Sequence, residues 1–316
     1  MIKNQQLINA HALLEYRNFR KAAHSQNISQ SAFSRSIANL EASLGVELFH
    51  RSPSGISPTI YGKTLFKYSK QILISTRELE REIDIIKGLG EGELSVAMGP
   101  YPAELSGHKA AGRILSKSPD LRCKMVVAGW REVEKMLMAR SIDLGFAELG
   151  DAQINKYLEI EPVGSHQFVF FCRPGHPLLQ NKTISKEKLD AYPLALIRLP
   201  GRLAPLFPGK LFQDKGFDYA IPAVEIQDLT FSRQIIIESD AFSAAAPLQI
   251  QNELENGTFS VIPFIAPWMI LNYGFMYFRD RVLSPITKRY MEVVREIEED
   301  VKVRNLALFS NYTHQL

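Results

Sequence analysis

The chain has 316 residues, 46% of them hydrophobic and 22% charged, about twice the length of a typical domain, so we expect two or three folded units. This composition is that of a globular protein and excludes disordered and collagen-like classes. The longest strongly apolar stretch, around residues 268–278, is too short for a bilayer-spanning helix, so we expect no membrane partner. The first residues lack the apolar core of a signal peptide. Only two cysteines, Cys123 and Cys172, are present, which favours a reducing compartment and predicts a cytoplasmic protein.

The charge is unevenly distributed along the chain. Residues 1–70 hold nine Lys/Arg and three Asp/Glu, whereas the remainder holds 28 and 31. A basic N-terminal part on a mildly acidic body indicates a polyanionic partner for the N-terminal part. Chance variation of surface charge accounts for the same numbers equally well, so the charge alone does not decide between these readings.

Residues 19–45 have the pattern of two helices joined by a tight turn. Ala22 and Ala23 are small enough for close approach of a second helix, and Asn27 interrupts the helical periodicity. Ser29 is a good N-cap, because its hydroxyl can accept a hydrogen bond from a first-turn amide. An apolar stripe follows at steps of four, three and four, and Gly45 ends the helix. The stripe consists of Phe33, Ile37, Leu40 and Leu44.

The opposite face of this second helix carries short hydrogen-bonding side chains and one long cation. Gln30 and Arg35 are suited to adenine and guanine edges in a major groove. Ser29 and the helix N-terminus are suited to a phosphate. An ordinary amphipathic surface helix has the same pattern, but the preceding short helix and turn favour double-stranded DNA. The candidate DNA-binding residues are Ser29, Gln30, Ser31, Ser34, Arg35, Ser36, His50 and Arg51.

A predicted β-hairpin comes directly after the second helix. Residues 46–51 and 56–58 are typical of short strands, and the Ser-Pro-Ser-Gly sequence between them is typical of a turn. A hairpin in this place is a wing, and it completes a DNA-binding domain at residues 1–58. His50 and Arg51 would lie near the DNA backbone or minor groove, although both also suit a solvated turn.

This ordered set of residues resembles the LysR-type transcriptional regulators over almost the full length of the chain. The match rests on residues 19–23, 28–35, 44–49 and 58–59, together with single positions such as Arg51 and Gly62. The resemblance implies an N-terminal all-α winged helix-turn-helix, a long linker helix, and a C-terminal α/β two-lobed effector domain like the periplasmic binding proteins. Family members usually carry proline at or near Ser31 and leucine at Phe33; neither change should disturb the fold.

Residues 59–90 predict a linker helix, capped by Thr59 and followed by a glycine-rich hinge. Leu65, Ile72, Leu79 and Ile86 are seven residues apart, with Tyr68 and Ile83 between them. This spacing is typical of a seam between two paired helices, although packing against the chain's own body would also use it. The resemblance implies a homodimer through this helix, commonly assembled further into a homotetramer.

From residue 91 to residue 316, strand and helix patterns alternate, which predicts an α/β domain with a largely parallel sheet. We expect lobe I to comprise residues 91–162 and 268–316 and lobe II residues 163–267. A strand over residues 166–171 would begin lobe II. An effector would bind between the lobes, at the carboxyl ends of strands. The candidates are Gly99, Pro100, Tyr101, Glu148, Leu199 and Pro200, and for each of them packing is as good an explanation as ligand contact.

Many family members that bind carboxylates carry serine or threonine after the first strand of this domain. Here that place is taken by Gly99-Pro100-Tyr101. We therefore expect an effector that is more apolar or aromatic than a simple carboxylate.

The sequence contains few features that would indicate an enzymatic site. No phosphate-binding glycine loop, HExxH or CxxC occurs, so we expect no catalytic residues, metal or cofactor. Cys172 lies near His166 and His176 in sequence, and a thiol site or a redox pair with Cys123 is conceivable, but a buried structural cysteine is the simpler reading. The sequence thus predicts a sequence-specific, effector-responsive transcription regulator. The alternative is a solute-binding or enzymatic body with an accessory DNA-binding head.

Overall fold

In the computed structural model the described residues are 2–52, 55–87, 93–150, 155–180, 184–213 and 219–313. The chain divides into two compact units, Met1–Gly90 and Glu91–Leu316, which we call the head and the body. The predicted hinge at residues 88–92 and the tip of the predicted wing at residues 53–54 lie outside the described residues. No helix in the described part of the chain is both long enough and apolar enough to cross a membrane.

The described residues of the head form four helices and one hairpin. Its elements are α1 (Asn4–Tyr16), α2 (Phe19–Ser25), α3 (Gln30–Leu44), β1 (Phe49–Ser52), β2 (Gly55–Pro58) and α4 (Ile60–Ile86). Local chemistry sets the helix ends as the sequence predicted. The Ser29 hydroxyl accepts a 3.2 Å hydrogen bond from the Ala32 amide, and Gly45 ends α3 in the left-handed region with φ 69°.

The apolar faces of α1, α2 and α3 meet in one core beneath the hairpin. Its central side chains are Ala10, Leu13, Ala22, Ala23, Phe33, Ile37, Leu40, Leu48 and Phe49. Leu44 was predicted to belong to the same stripe, but it is 37% exposed. It is the last residue of α3, so its side chain lies beyond the part of the helix that α1 and α2 cover.

The body elements follow in chain order. Its strands are β3 (Leu94–Met98), β4 (Cys123–Val127), β5 (Leu144–Glu148), β6 (Leu158–Gln167), β7 (Val169–Cys172), β8 (Ala195–Leu196), β9 (Leu199–Pro200), β10 (Leu211–Gln213), β11 (Tyr219–Pro222), β12 (Val224–Glu225), β13 (Ser243–Ala245), β14 (Ser260–Val261) and β15 (Ile270–Phe278). Its α-helices are α5 (Pro100–Pro102), α6 (His108–Leu115), α7 (Trp130–Met138), α8 (Lys186–Leu189), α9 (Leu229–Glu238), α10 (Gln251–Glu255) and α11 (Pro285–Thr313).

Lobe I is built on a five-stranded sheet with the order β4-β3-β5-β15-β6. β15 runs antiparallel to both of its neighbours, while β4, β3 and β5 are mutually parallel. One face of the sheet packs on α6 and α11, and the other packs on α7. The predicted α/β class is therefore confirmed, and the sheet is parallel except at β15.

The part of the body between β6 and β15, which we call lobe II, has a more mixed architecture than the sequence predicted. β13 and β14 flank β7 in antiparallel pairing, whereas β12 pairs with β8 in parallel. A third sheet has the order β10-β11-β9. The core is rich in aromatic rings, and Phe170 makes edge-to-face contacts with Phe168, Phe207 and Phe242.

The predicted strand over residues 166–171 is wrong, because the chain breaks its pairing at Phe168. His166 and Gln167 end β6 in the lobe I sheet, and Val169 begins β7 in lobe II. β6 and β15 are thus the two strands by which the chain passes between the lobes.

A buried polar network fastens these two crossing strands to α11. His166 of β6 is 2.8 Å from a carboxylate oxygen of Glu298, and the hydroxyl of Tyr273 on β15 lies 3.0 Å from both Glu298 oxygens. All three side chains are at most 5% exposed. Further along α11, Asn305 donates to the Gln167 carbonyl at 2.9 Å. The long final helix therefore holds the crossing point in place.

Candidate DNA-binding and effector sites

The exposed face of α3 carries the residues that the sequence singled out for DNA contact. Gln30, Ser31 and Arg35 are exposed and Ser34 is half-buried; Ser31 and Arg35 lie opposite the buried stripe, Ser34 lies at its edge, and Gln30 is the first residue of the helix. Phe33 and Ile37 of the same helix are completely buried in the head core, and this packing holds α3 in place. Such a face can offer hydrogen bonds to base edges from a rigid element.

Ser29 has a role in positioning this face. Besides capping α3, its hydroxyl lies 3.1 Å from the hydroxyl of Ser31. The two serines therefore form a small hydroxyl pair at the helix N-terminus, where the unpaired first-turn amides favour an anion such as a phosphate.

The side chains of two other predicted DNA-binding residues, Ser36 and Arg51, contact residues of the head itself. The Ser36 hydroxyl faces α1 and accepts a 2.8 Å hydrogen bond from the buried Asn9 amide. Arg51, on β1, lies 3.4 Å from the Glu41 carboxylate, and its guanidinium stacks over the Phe19 ring at 5.2 Å. His50, also on β1, is exposed. Of the predicted set, Ser36 is thus the residue whose side chain turns away from the exposed face of α3.

Sequence reasoning missed a basic groove beside α2. Arg20, Lys21 and His24 are exposed and line an open depression together with Tyr16 and Asn18. Their signal was present in the sequence as a run of cationic residues on a seven-residue helix. Such a run is also typical of an ordinary solvated helix face, and only the fold shows that its side chains line one depression.

The heptad positions of α4 divide into two groups. Leu65 packs against the head core, and Ser69 on the same side meets His11 of α1 at 2.8 Å. The remaining positions of the seam are exposed: Tyr68, Ile72, Leu79, Ile83 and Ile86 are each at least 40% exposed. A row of large apolar side chains left open to water on one helix is an unusual feature.

The body contains an apolar cavity of about 270 Å³ between its two lobes. Its walls come mainly from aromatic and aliphatic side chains, among them Tyr101, Trp130, Phe168, Leu203, Phe207 and Trp268. Four charged or amide groups, Glu148, Arg198, Arg202 and Asn272, complete the lining. A mostly apolar cavity with a few polar groups is the usual form of a small-molecule site.

Polar contacts join the lobes around this cavity. Tyr101, in lobe I, donates a 3.2 Å hydrogen bond to the Ala244 carbonyl of lobe II, and its ring enters the lobe II core. Burial and the nearby Glu104 carboxylate raise the pKa of Tyr101, so the hydroxyl remains a donor throughout the physiological range. Glu148, at the end of β5, pairs with Arg202 of lobe II.

Behind the cavity, Arg233 of α9 links Glu104 of lobe I to Glu253 of lobe II at 3.0 and 2.8 Å. The side chain of Gln249 adds a 2.9 Å hydrogen bond to the second Glu104 oxygen. Glu104 lies in a π-helical turn, Ala103–Gly107, between α5 and α6. This turn matters because π-helical segments are frequent at functional sites.

A second, more polar cavity of about 360 Å³ lies on the other side of Trp130. It is lined from lobe I by the start of α7 and from lobe II by residues around β12. Its charged residues are Arg131, Glu132, Lys135, Arg198 and Glu225. Arg198 and Glu225 form an ion pair at 2.7 Å in its wall.

The structure separates the six predicted effector residues into three groups. Tyr101, Glu148, Leu199 and Pro200 line the apolar cavity. Pro100 lines the polar cavity. Gly99 is buried, and its amide donates to the Phe146 carbonyl at 2.9 Å, so it serves the turn after β3.

The cysteines and nearby histidines have separate surroundings. Cys172 is buried in β7, and burial raises the pKa of its thiol to about 12. His176 has its ring nitrogens on the Asp240 carbonyl and the Leu178 amide, and His166 belongs to the Glu298 network. Cys123 lies in β4 of lobe I, and both cysteines are free. Within the described residues, no group of His, Cys, Asp and Glu side chains is arranged to hold a metal ion.

Comparison with known proteins agrees with this geometry. Residues 5–63 match the family model for bacterial regulatory helix-turn-helix proteins of the lysR family, and residues 87–298 match the LysR substrate-binding domain. A relative from a Pseudomonas species, the SDS degradation transcriptional activation protein, is 30% identical over 92% of this chain and 94% of its own. The regulator GbpR of Azospirillum brasilense is 26% identical over 93% and 85% of the two chains.

Solved structures show the same fold. Full-length CbnR, in a complex with its target DNA, has a TM-score of 0.60 at 20% identity and covers 94% of this chain and 100% of its own. A full-length OxyR variant from Pseudomonas aeruginosa has a TM-score of 0.61 at 17% identity over 96% and 97% of the two chains. The chain therefore belongs to the LysR family of DNA-binding transcriptional regulators, with a helix-turn-helix head and an effector-binding body.

Proposed function

We propose that α3 reads the operator through Gln30, Ser31, Ser34 and Arg35, while the α2 groove and the Ser29–Ser31 pair hold phosphates. The observation that carries this is the exposed polar surface of α3 on a helix whose other side buries Phe33, Ile37 and Leu40. A rigid helix of this kind can keep its side chains in register with base edges. Arg51 acts indirectly, because its contacts to Phe19 of α2 and Glu41 of α3 hold the wing against both helices.

Fluorescence anisotropy with DNA from the region upstream of the chain's own gene tests this assignment. Arg35→Ala should bind that DNA roughly tenfold to a hundredfold more weakly, since a good base contact contributes ~1–3 kcal/mol of discrimination. Arg304→Ala, an exposed arginine on α11 of the body, is the matched control and should bind like the parent. Unchanged affinity in Arg35→Ala, with unchanged circular dichroism, would show that α3 is not the reading element.

We further propose that the chain pairs with a second copy through the exposed row on α4. Pairing would bury five large apolar side chains per chain that are now exposed to water, and the removal of this apolar surface from water would stabilise the dimer. The seven-residue spacing suits a seam between two helices. In light scattering, Ile72→Glu should shift the parent assembly toward monomer. Gln71→Glu adds the same charge on the neighbouring exposed side and should leave the assembly intact. A parent that is already monomeric would contradict this proposal, and a mass of four chains would support a tetramer.

For the body, we propose that the apolar cavity holds a small effector that is more apolar than a simple carboxylate. Aromatic and aliphatic walls reward burial of apolar surface and penalise an isolated charge. The name of the 30%-identical relative, which refers to SDS degradation, fits this class because dodecyl sulfate carries a long alkyl chain. A thermal-shift screen of metabolites tests it, since a specific ligand raises the melting temperature. Hits confined to short dicarboxylates would refute it.

We also propose that the body binds its effector without converting it and that the protein acts in the cytoplasm, with the genomic DNA. Both the head and the body match models of the LysR regulator family, which supports binding without conversion over the solute-binding or enzymatic alternative. Recovery of a chemically unchanged effector after prolonged incubation is the expected result.

Limited proteolysis should cut first near residues 88–92, at the boundary that we propose between the linker helix and the body.

A further inference from the structure

Two residues of one short segment connect lobe I to lobe II beside the apolar cavity. Tyr101 in α5 and Glu104 in the π-helical turn are three residues apart. The Tyr101 hydroxyl donates to the Ala244 carbonyl at 3.2 Å, and a Glu104 oxygen accepts from the Arg233 guanidinium at 3.0 Å. Both partners belong to lobe II, so this segment of lobe I is held against the other lobe at two neighbouring points.

Gln249 joins these two contacts into a closed ring. Its side-chain nitrogen donates to the second Glu104 oxygen at 2.9 Å, and its side-chain oxygen accepts from the Ala246 amide at 3.2 Å. Ala246 comes two residues after Ala244, whose carbonyl accepts from Tyr101. Each oxygen of the Glu104 carboxylate therefore has a partner in lobe II, and a change at this carboxylate reaches the Tyr101 contact through a short chain of bonds.

Arg233 is held on lobe II before it reaches across to lobe I. Its guanidinium donates to Glu253 at 2.8 Å and to the Gln249 carbonyl at 2.9 Å, and both acceptors belong to lobe II. Hydrogen bonds between ionised groups are stronger than neutral ones. The link from Arg233 to Glu104 is therefore the stronger of the two connections, and the neutral bond from Tyr101 to Ala244 is the weaker.

The segment that carries Tyr101 and Glu104 forms part of the cavity wall. Tyr101 lines the apolar cavity and is 8% exposed. The ends of the segment are fixed within lobe I, because the Gly99 amide donates to the Phe146 carbonyl and the Gly107 carbonyl accepts from the Tyr290 hydroxyl at 3.1 Å. Between these ends, the bonds of Glu104 to lobe II fix the part of the segment next to Tyr101.

We propose that Arg233 is a positioning residue for the effector site: by holding Glu104, it sets the place of Tyr101 in the wall of the apolar cavity. This inference rests on the proposed effector site in the body and adds a residue behind the cavity that controls its affinity. Without the link, a smaller fraction of molecules has the complete wall at any moment. The apparent affinity for a ligand falls by the same factor as that fraction.

Tryptophan fluorescence reports on this wall without any ligand. The chain has two tryptophans, Trp130 in lobe I and Trp268 in lobe II, and both line the apolar cavity. Glu104→Met and Arg233→Met each remove the link but keep a long side chain. Acrylamide should quench either variant more strongly than the parent, with a quenching constant roughly twofold higher, because more molecules have an incomplete wall. Glu238→Met, which removes an exposed carboxylate at the end of α9, is the control and should quench like the parent.

Calorimetric titration with 2-naphthylmethanol, a neutral apolar probe, measures the affinity of the site. The parent should bind one molecule of the probe per chain. Glu104→Met and Arg233→Met should each bind it roughly tenfold more weakly, within the usual range for coupling between two sites. The double variant should not exceed the larger single effect, since both changes remove the same link. Arg233→Lys keeps the positive charge and should lie closer to the parent than Arg233→Met does.

A purely structural role of Arg233 would give a different result. It would lower the melting temperature of Arg233→Met, but the folded variant would show the quenching and the probe affinity of the parent. That result would overturn the positioning role and leave the effector site standing. Additive effects of Glu104→Met and Arg233→Met would also overturn it, because the two residues would then act separately. Failure of the probe to bind the parent would count against the proposed effector class, and the quenching of the unliganded variants would then decide the positioning role by itself.

Discussion

Gly62, in the first turn of α4, lies against the backbone of the segment before the wing. A Cβ atom at this position would be 2.2 Å from the Leu48 carbonyl oxygen. That oxygen accepts a 2.9 Å hydrogen bond from the Thr59 amide, and the Thr59 hydroxyl in turn accepts from the Gly62 amide at 3.1 Å. Because the obstacle is backbone, no side chain can rotate away, and Gly62→Ala must push α4 off this segment.

Three effects determine how much Gly62→Ala changes the free energy of unfolding of the head. Forcing an extra carbon into a packed junction costs typically ~1–3 kcal/mol, and a buried carbonyl left unsatisfied costs ~1–3 kcal/mol. Alanine returns up to ~1 kcal/mol through its better helix propensity. We therefore expect Gly62→Ala to destabilise the head by roughly 2–4 kcal/mol.

Hydrogen exchange of the full chain measures this change in the head alone. Protected amides of α1 and α3 should exchange roughly 30-fold to several hundredfold faster in Gly62→Ala, since each 1.4 kcal/mol is about a tenfold change. Gly112→Ala is the matched control in α6, where no atom lies within 4 Å of an added Cβ. It should slow exchange nearby, because alanine is favoured by ~0.5–1 kcal/mol in a helix. Unchanged exchange in the head of Gly62→Ala would refute the close packing inferred here.

The remaining predictions concern the body. Glu298→Gln removes the charge that the buried histidine and tyrosine share and should lower the free energy of unfolding by ~1.5–3 kcal/mol in urea titrations, whereas Glu299→Gln, its exposed neighbour, should have no effect. Burial raises the pKa of the Cys172 thiol from 9.0 to about 12, so its contribution to stability is complete below 9.0 and is lost as the pH rises toward 12. A thiol reagent at neutral pH should therefore modify the half-buried Cys123 first and reach Cys172 only on unfolding; early modification of Cys172 would contradict its burial in β7.

What the sequence predicted well depends on short-range chemistry. The ends of α3 follow from a serine cap and a glycine whose effects reach only one helical turn. The buried face of α3 follows from periodicity, except at Leu44, where the end of α3 extends beyond α1 and α2. The exposed row on α4 was visible for the same reason, because the seven-residue spacing lies within one element.

What the sequence could not predict depends on contacts between distant residues. Nothing in the local sequence shows that Arg51 would be held by Glu41, or that Ser36 would face Asn9. The strand predicted over residues 166–171 is divided at Phe168, because β6 continues to pair up to Gln167 with β15, a strand more than a hundred residues later. Likewise, Leu199 and Pro200 were found from their place after a strand, but their neighbour Arg198 was missed, since its position between two cavities exists only in the folded body.

We propose that the exposed face of α3 selects the DNA sequence, whereas the basic groove of α2 contributes affinity for any sequence. Selection of binding sites from random double-stranded DNA by the parent, Arg35→Ala and Arg20→Ala tests both parts at once. Arg35→Ala should lose the preference for a particular base, most simply guanine, at one position of each half-site. Arg20→Ala should select the parent motif with uniformly weaker binding and a shallower dependence on salt. Recovery of the full parent motif by Arg35→Ala would contradict the account.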